Sequence, residues 1–121
     1  MPHVVLTGEI MLRIVFEKIE SFMTREEKTI LKTSDKYINK DETSILVEAL
    51  AIEDGNKASF LVLLGKREDG LVIRLYPEIN VEKTDGVKTI LAKIANQLLE
   101  KFPTLKVGKT NLQEFLQKQP S

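Results

Sequence analysis

The central part of the chain alternates apolar and polar residues in the way that β-strands do. Apolar residues dominate from residue 44 to residue 79, and two Asp-Gly pairs, Asp54-Gly55 and Asp69-Gly70, interrupt them. Asp-Gly between apolar runs favours a type I′ hairpin turn, because both central residues of that turn need positive φ. The pattern predicts an antiparallel meander of three strands: Ser44 to Glu53, Lys57 to Glu68 and Leu71 to Ile79.

One face of this meander is entirely apolar. Two-residue loops at both Asp-Gly pairs would fix the register, and side chains alternate between the faces of a strand. The apolar face would then carry Ile45, Val47, Ala49, Ala51, Phe60, Val62, Leu64, Leu71, Ile73 and Leu75. We expect this face to form the core, covered by a helix.

The opposite side of the meander, which we call the mixed face, combines large apolar residues with charged ones. The predicted register gives three cross-strand rows: Leu46–Leu63–Tyr76, Glu48–Leu61–Glu78 and Ser44–Gly65–Arg74. Contiguous apolar surface with a few polar groups is typical of a binding site for a partner or ligand. The candidate binding residues are Leu46, Glu48, Leu61, Leu63, Arg74, Tyr76 and Glu78.

Helical periodicity is clearest in the C-terminal third. Apolar residues from Val87 to Leu99 recur every three or four positions, which predicts an amphipathic helix from Asp85, its N-cap, to Phe102. Asn111 and Glu114 form a capping-box pattern that predicts a second, short helix.

The N-terminal third is less regular. Polar residues at helical spacing predict a helix over Gly8–Met23 with Thr7 as N-cap, although Leu12, Ile14 and Phe16 also alternate as in a strand. The next residues predict a short edge strand, Lys28 to Thr33, and a polar loop, Ser34 to Glu42. A helix over Gly8–Met23 could cover the mixed face. Otherwise the apolar surplus of that face predicts self-association, most simply as a two-fold homodimer.

Composition narrows the possible classes of protein. The 121 residues, 42% hydrophobic and 30% charged, predict one soluble domain spanning 1–121. We expect a cytoplasmic protein, because the sequence has no secretory signal and no membrane-length apolar run. The absence of cysteine and tryptophan, with many Lys and Glu, would suit a thermophile. No cysteine and one histidine, His3, leave no pattern for a metal site, a cofactor or a catalytic triad.

Two other functions compete with a binding module. Glu48 and Glu78 would lie across three strands, about 9–10 Å apart, near the carboxylate separation of inverting glycosidases, which suggests a hydrolase-like enzyme. Residues 83–121 carry seven Lys against three acidic residues, which suggests a weak nucleic-acid binder through Lys101, Lys106, Lys109 and Lys118. Gly108-Lys109-Thr110 resembles the end of a phosphate loop, but Pro103 replaces the first glycine.

The sequence therefore predicts an α+β fold, an antiparallel three- to four-stranded meander with amphipathic helices packed on the sheet. The expected function is a non-enzymatic binding or homo-oligomeric assembly module that uses the mixed face. The expected partner is a second copy of the chain, another protein remains an alternative, and we expect no nucleic acid, membrane or cofactor.

Overall fold

Seven strands form a single antiparallel sheet in the computed structural model, which describes residues 1–117. In chain order the elements are β1 (His3–Thr7), α1 (Leu12–Lys18), β2 (Met23–Glu26), β3 (Thr29–Ile38), β4 (Ser44–Glu53), β5 (Asn56–Arg67), β6 (Gly70–Leu75), α2 (Asp85–Lys101), β7 (Lys106–Thr110) and α3 (Gln113–Gln117). The strands lie in the order β2-β3-β4-β5-β6-β1-β7. The sheet is curled, like half of a barrel.

The predicted α+β architecture of a three- to four-stranded meander with packed amphipathic helices is wrong. The sheet has seven strands within residues 1–117, and it dominates the fold. The meander is only its centre: β2 and β3 extend it on one side, and β1 and β7 extend it on the other. Both β1 and β7 are five residues long, and they pair with strands far away in sequence, so local periodicity carries little signal for them.

The first hairpin has the predicted turn. Glu53 pairs with Asn56, and the two loop residues, Asp54 and Gly55, have φ of 51° and 83°. This is the positive-φ pair that a type I′ turn requires. The prediction for this hairpin is confirmed, including the bounds of the strand Ser44–Glu53.

The second hairpin has a different register. Its loop residues are Glu68 and Asp69, and Gly70 already pairs with Arg67, so β6 is shifted by two positions against β5. The reason lies in β1: Gly70 also pairs with Thr7, and a Cβ on Gly70 would lie 2.0 Å from the Leu6 carbonyl oxygen. Glycine is needed here for close contact between two strands, and not for the turn.

The predicted helix over Gly8–Met23 is wrong for most of its length, because only Leu12–Lys18 is helical. Thr7 ends β1 instead of capping a helix, α1 spans only seven residues, and Met23 begins β2. Gly8 has a φ of 138° and lies so close to Thr104 that a Cβ would meet its carbonyl oxygen at 2.8 Å. This left-handed backbone cannot continue into a helix, so the helix starts later.

The three helices contribute to one core on the predicted apolar face. Ile90, Ile94 and Leu98 of α2 are almost fully buried there, together with Val15 of α1 and Leu112 beside α3. The helix α2 contacts β1, β3, β4 and β6. The prediction that a helix beginning at Asp85 covers the apolar face is confirmed in this respect, and its N-cap is Thr84, one residue earlier.

The hairpin between β4 and β5 also holds the start of α2. The Glu53 carboxylate accepts hydrogen bonds from the Thr84 hydroxyl (2.5 Å) and from the Gly86 backbone N–H (3.0 Å). A negative charge at this position satisfies backbone donors that a helix N-terminus otherwise leaves without partners, and it complements the helix dipole.

Within the described residues, no helix has both the length and the apolar character needed to cross a membrane.

Candidate interaction face

The mixed face lies on the side of the sheet away from the core. Its observed rows are Leu46–Leu63–Arg74, which continues to His3 on β1, and Ser44–Gly65–Val72. The row of Glu48 and Leu61 continues to Tyr76, whose backbone N–H donates to the Leu61 carbonyl. The predicted neighbours on β4 and β5 are confirmed. The predicted neighbours on β6 are wrong, since Arg74 lies beside Leu63 and Tyr76 beside Leu61.

Glu78 does not belong to this face. The strand β6 ends at Leu75, and Glu78 lies exposed in the turn that follows. The predicted row Glu48–Leu61–Glu78 is therefore wrong, because the shift in register puts Tyr76 where Glu78 was expected. The paired-carboxylate geometry on which a hydrolase-like site depends is lost with that row.

No helix covers the mixed face within residues 1–117. Its large apolar side chains are half-buried by their neighbours in the sheet, and none of them belongs to the core cluster or packs against it. These residues are Ile30, Leu46, Leu50, Ile52, Leu61, Leu63, Val72 and Tyr76. They run across four neighbouring strands, β3 to β6. The result is a contiguous apolar band that an isolated chain leaves in contact with water.

A bulge in β3 supplies polar contacts that the sequence did not reveal. The register between β3 and β4 shifts between Thr33 and Lys36, opposite Glu48. Within and beside the bulge, the Ser34 hydroxyl lies 3.2 Å and the Tyr37 hydroxyl 2.9 Å from Glu48 carboxylate oxygens. The hydrogen bond to Glu48 raises the pKa of the Tyr37 phenol, with smaller contributions from burial and from nearby negative charge. Glu48 is thus held in place by two hydroxyls.

Arg74 is a cation on the same face, which also carries Lys32 and Lys57. Its side chain is half-buried beside Leu63, and within residues 1–117 its guanidinium has no hydrogen bond or ion pair. No described cation forms an ion pair with Glu48 either. Both charges are therefore available to a partner.

A shallow groove lies on the mixed face near the first hairpin. It encloses about 370 Å³ and is bounded by Lys32, Lys57, Glu48, the apolar side chains of Leu50 and Leu61, and Ile79 above them. The groove continues the apolar band to the end of the sheet where Ile52 pairs with Lys57.

A second, larger cleft of about 900 Å³ lies at the N-terminus of α2 and is acidic. Glu26, Glu27, Glu53, Asp54 and Asp85 line it. Glu53 is already engaged by the helix N-terminus, and the described residues contain no group of three or more ligands that could hold a metal ion. The capping of α2 by Glu53 therefore explains why an acidic side chain lies in this cleft.

The candidate lysines of the C-terminal third that the structure describes lie on two elements, α2 and β7. Lys101 is paired with Glu20 at 2.6 Å, and this contact lowers the pKa of the Glu20 carboxyl. The register of β7 against β1 shifts between Val107 and Thr110, so simple alternation along the strand does not put Lys106 and Lys109 on opposite faces. Lys118 lies outside the described residues. The segment Gly108-Lys109-Thr110 belongs to β7, and not to a loop that could surround a phosphate.

Comparison of the chain with known protein families, with curated proteins and with solved structures gives no match.

Proposed function

We propose that this protein is a non-enzymatic assembly module that forms a symmetric homodimer through the mixed face. The observation that carries this proposal is the one-sided arrangement of the helices. The buried residues of α1 and most of those of α2 belong to the core on one side of the sheet, and the described helices leave the apolar band on the other side uncovered. Contiguous apolar surface of this kind marks an interaction site in soluble proteins.

The helix α1 does not cover the mixed face. Leu12 and Val15, the buried residues of that helix, lie in the core cluster with the apolar face of the sheet. The segment that was expected to cover the mixed face is thus used on the opposite side.

The size of the face suits a dimer. Four strands spaced about 4.8 Å apart, each contributing about eight residues at about 3.3 Å, present a projected area of about 500 Å². Two such faces bury about 1,000 Å² in total, which is the lower bound for a specific protein interface. Face-to-face packing of two sheets is also a common way to bury apolar strands, with about 10 Å between the sheets.

Neither of the rival functions gains an observation in its favour. The hydrolase-like pair depends on a register that the structure does not have. The nucleic-acid surface depends in part on Lys101, which is already paired with Glu20.

Sedimentation equilibrium at micromolar concentrations tests the proposal. We expect twice the monomer mass of 13.7 kDa for the native chain and a monomer for Leu63→Glu, which buries a charge at the centre of the interface. Ile14→Glu is the matched control, because Ile14 is an exposed apolar residue of α1, 39% accessible, and the same substitution there should leave the dimer intact. A native chain that stays monomeric on concentration, or a Leu63→Glu variant that remains dimeric, would overturn the proposal.

A further inference from the structure

We propose that Glu48 and Arg74 are the specificity determinants of the dimer, each pairing with the other residue of the second copy. This inference rests on the proposed function, because it needs the mixed faces of two copies to meet. It names a recognition element within that face and predicts the orientation of the two copies.

The positions of the two residues on the sheet define the two-fold axis that would pair them. Glu48 is on β4 in the row of Leu61, and Arg74 is on β6 in the next row, that of Leu63. The midpoint between them therefore falls on β5, between Leu61 and Leu63. A two-fold axis in the plane of the interface, through that midpoint and across the line joining the two residues, exchanges their positions. It places each Glu48 opposite the partner's Arg74, twice.

Within one copy the two charges are too far apart to neutralise each other. Two strand spacings of about 4.8 Å and two residues at about 3.3 Å each put their backbones about 12 Å apart. The structure accordingly pairs neither residue with a cation or anion of its own chain within residues 1–117. The ion pair that one copy cannot make is available between two copies.

Burial of the face makes such a pair necessary. Packing a second sheet against Leu61 and Leu63 would remove water from both charges, and an isolated charge in an interface is costly. Arginine and carboxylate can form two parallel hydrogen bonds, which fixes orientation as well as energy. Ser34 and Tyr37 already hold the Glu48 carboxylate in place, so little side-chain freedom remains to be lost on pairing.

A second copy explains these charges better than an unrelated protein does. One face carries both signs, so two copies of that face can pair their opposite charges with each other, which is the self-complementarity that a two-fold interface requires. An unrelated partner would need a matching surface of its own, and nothing in the sheet calls for one.

Charge reversal tests the pairing. We expect E48R alone and R74E alone each to raise the dissociation constant of the dimer at least about tenfold. Each substitution replaces both symmetry-related ion pairs with contacts between like charges. The double variant E48R/R74E restores both pairs and should return to within about threefold of the native value. A mixture of E48R with R74E should form a heterodimer, since each copy then carries the charges that the other lacks. Glu17→Arg is the control: it reverses an exposed charge on α1, on the other side of the sheet, and it should leave dimerisation nearly unchanged.

The outcomes separate this inference from the proposed function. A native dimer that both single reversals leave intact would overturn the Glu48–Arg74 pairing and leave the assembly through the mixed face standing. Weakening by both reversals without recovery in the double variant or the mixture would also overturn it. Far-UV circular dichroism checks that each variant keeps its sheet. If E48R unfolds, E48Q takes its place. We then expect a higher dissociation constant for the E48Q dimer, and an unchanged dimer would contradict the pairing.

Discussion

Substitution of alanine for Gly70 should destabilise the protein far more than the same change at Gly55, although both glycines follow an aspartate at a hairpin. Gly55 has a φ of 83° and no atom within 4 Å of the place where a Cβ would be. Gly70 has a φ of 151°, and its Cβ would lie 2.0 Å from the Leu6 carbonyl oxygen and 3.0 Å from the Thr7 Cα.

The magnitudes follow from these distances. Gly55→Ala adds only the strain of a side chain at positive φ, about 1–2 kcal/mol. At Gly70, ordinary contact begins near 3.4 Å, so β1 and β6 would have to separate by more than 1 Å at this point. Such a separation breaks ladder hydrogen bonds and shifts Leu6, which is fully buried in the core. We expect a loss of about 4 kcal/mol or more, out of the 5–15 kcal/mol that a typical domain has.

Urea unfolding followed by far-UV circular dichroism measures both values, since the chain has no tryptophan for a fluorescence assay. The decisive quantity is the difference between the two variants, which we expect to be at least about 2 kcal/mol. Equal losses would show that Gly70 acts as a turn residue like Gly55, and that β1 does not pack against it as described.

Two further substitutions test the core and the start of α2. Ile94→Ala should lower the free energy of unfolding by about 2–5 kcal/mol in urea titrations, because Ile94 is 1% exposed, and a loss under about 0.5 kcal/mol would place it at the surface. Gly86→Ala would put a Cβ 2.6 Å from the Glu53 carboxyl and force that side chain away from its hydrogen bonds with Thr84 and Gly86, so we expect a loss of about 1 kcal/mol. In a double-mutant cycle with Glu53→Ala, part of that loss should disappear, and strictly additive losses would contradict the contact.

The strongly patterned parts of the chain were predictable from sequence. The strand Ser44–Glu53 and the helix beginning at Asp85 have long periodic apolar sets, and Asp54-Gly55 has the backbone that its turn type demands. Apart from Glu78, which lies beyond the end of β6, the sequence also separates core residues from mixed-face residues correctly, because a register shift by two positions preserves the face on which a side chain lies. For the same reason, it could not reveal which neighbours Arg74 has.

The remainder depends on contacts between distant parts of the chain. The glycine at position 70 looks like a turn residue until β1 is placed beside it, and nothing near Gly70 in sequence indicates that strand. The short strand Lys106–Thr110 has charged residues and a central glycine, which weaken its β signal. The contact of Tyr37 with Glu48 depends on a bulge that reverses the alternation of β3, so a local pattern could not predict it.

The place of β1 between β6 and β7 has a consequence for how the protein is made in the cell. Its partners, Gly70–Leu75 and Lys106–Thr110, leave the ribosome much later than His3–Thr7 does. At about 5–20 residues per second, the first strand waits several seconds for one neighbour and longer for the other. During that interval it is an unpaired apolar segment, and its shortness, five residues, keeps it below the length of the six- or seven-residue segments that form cross-β stacks. Pairing of β1 on both of its edges is thus a late event of synthesis, completed only when β7 has been made.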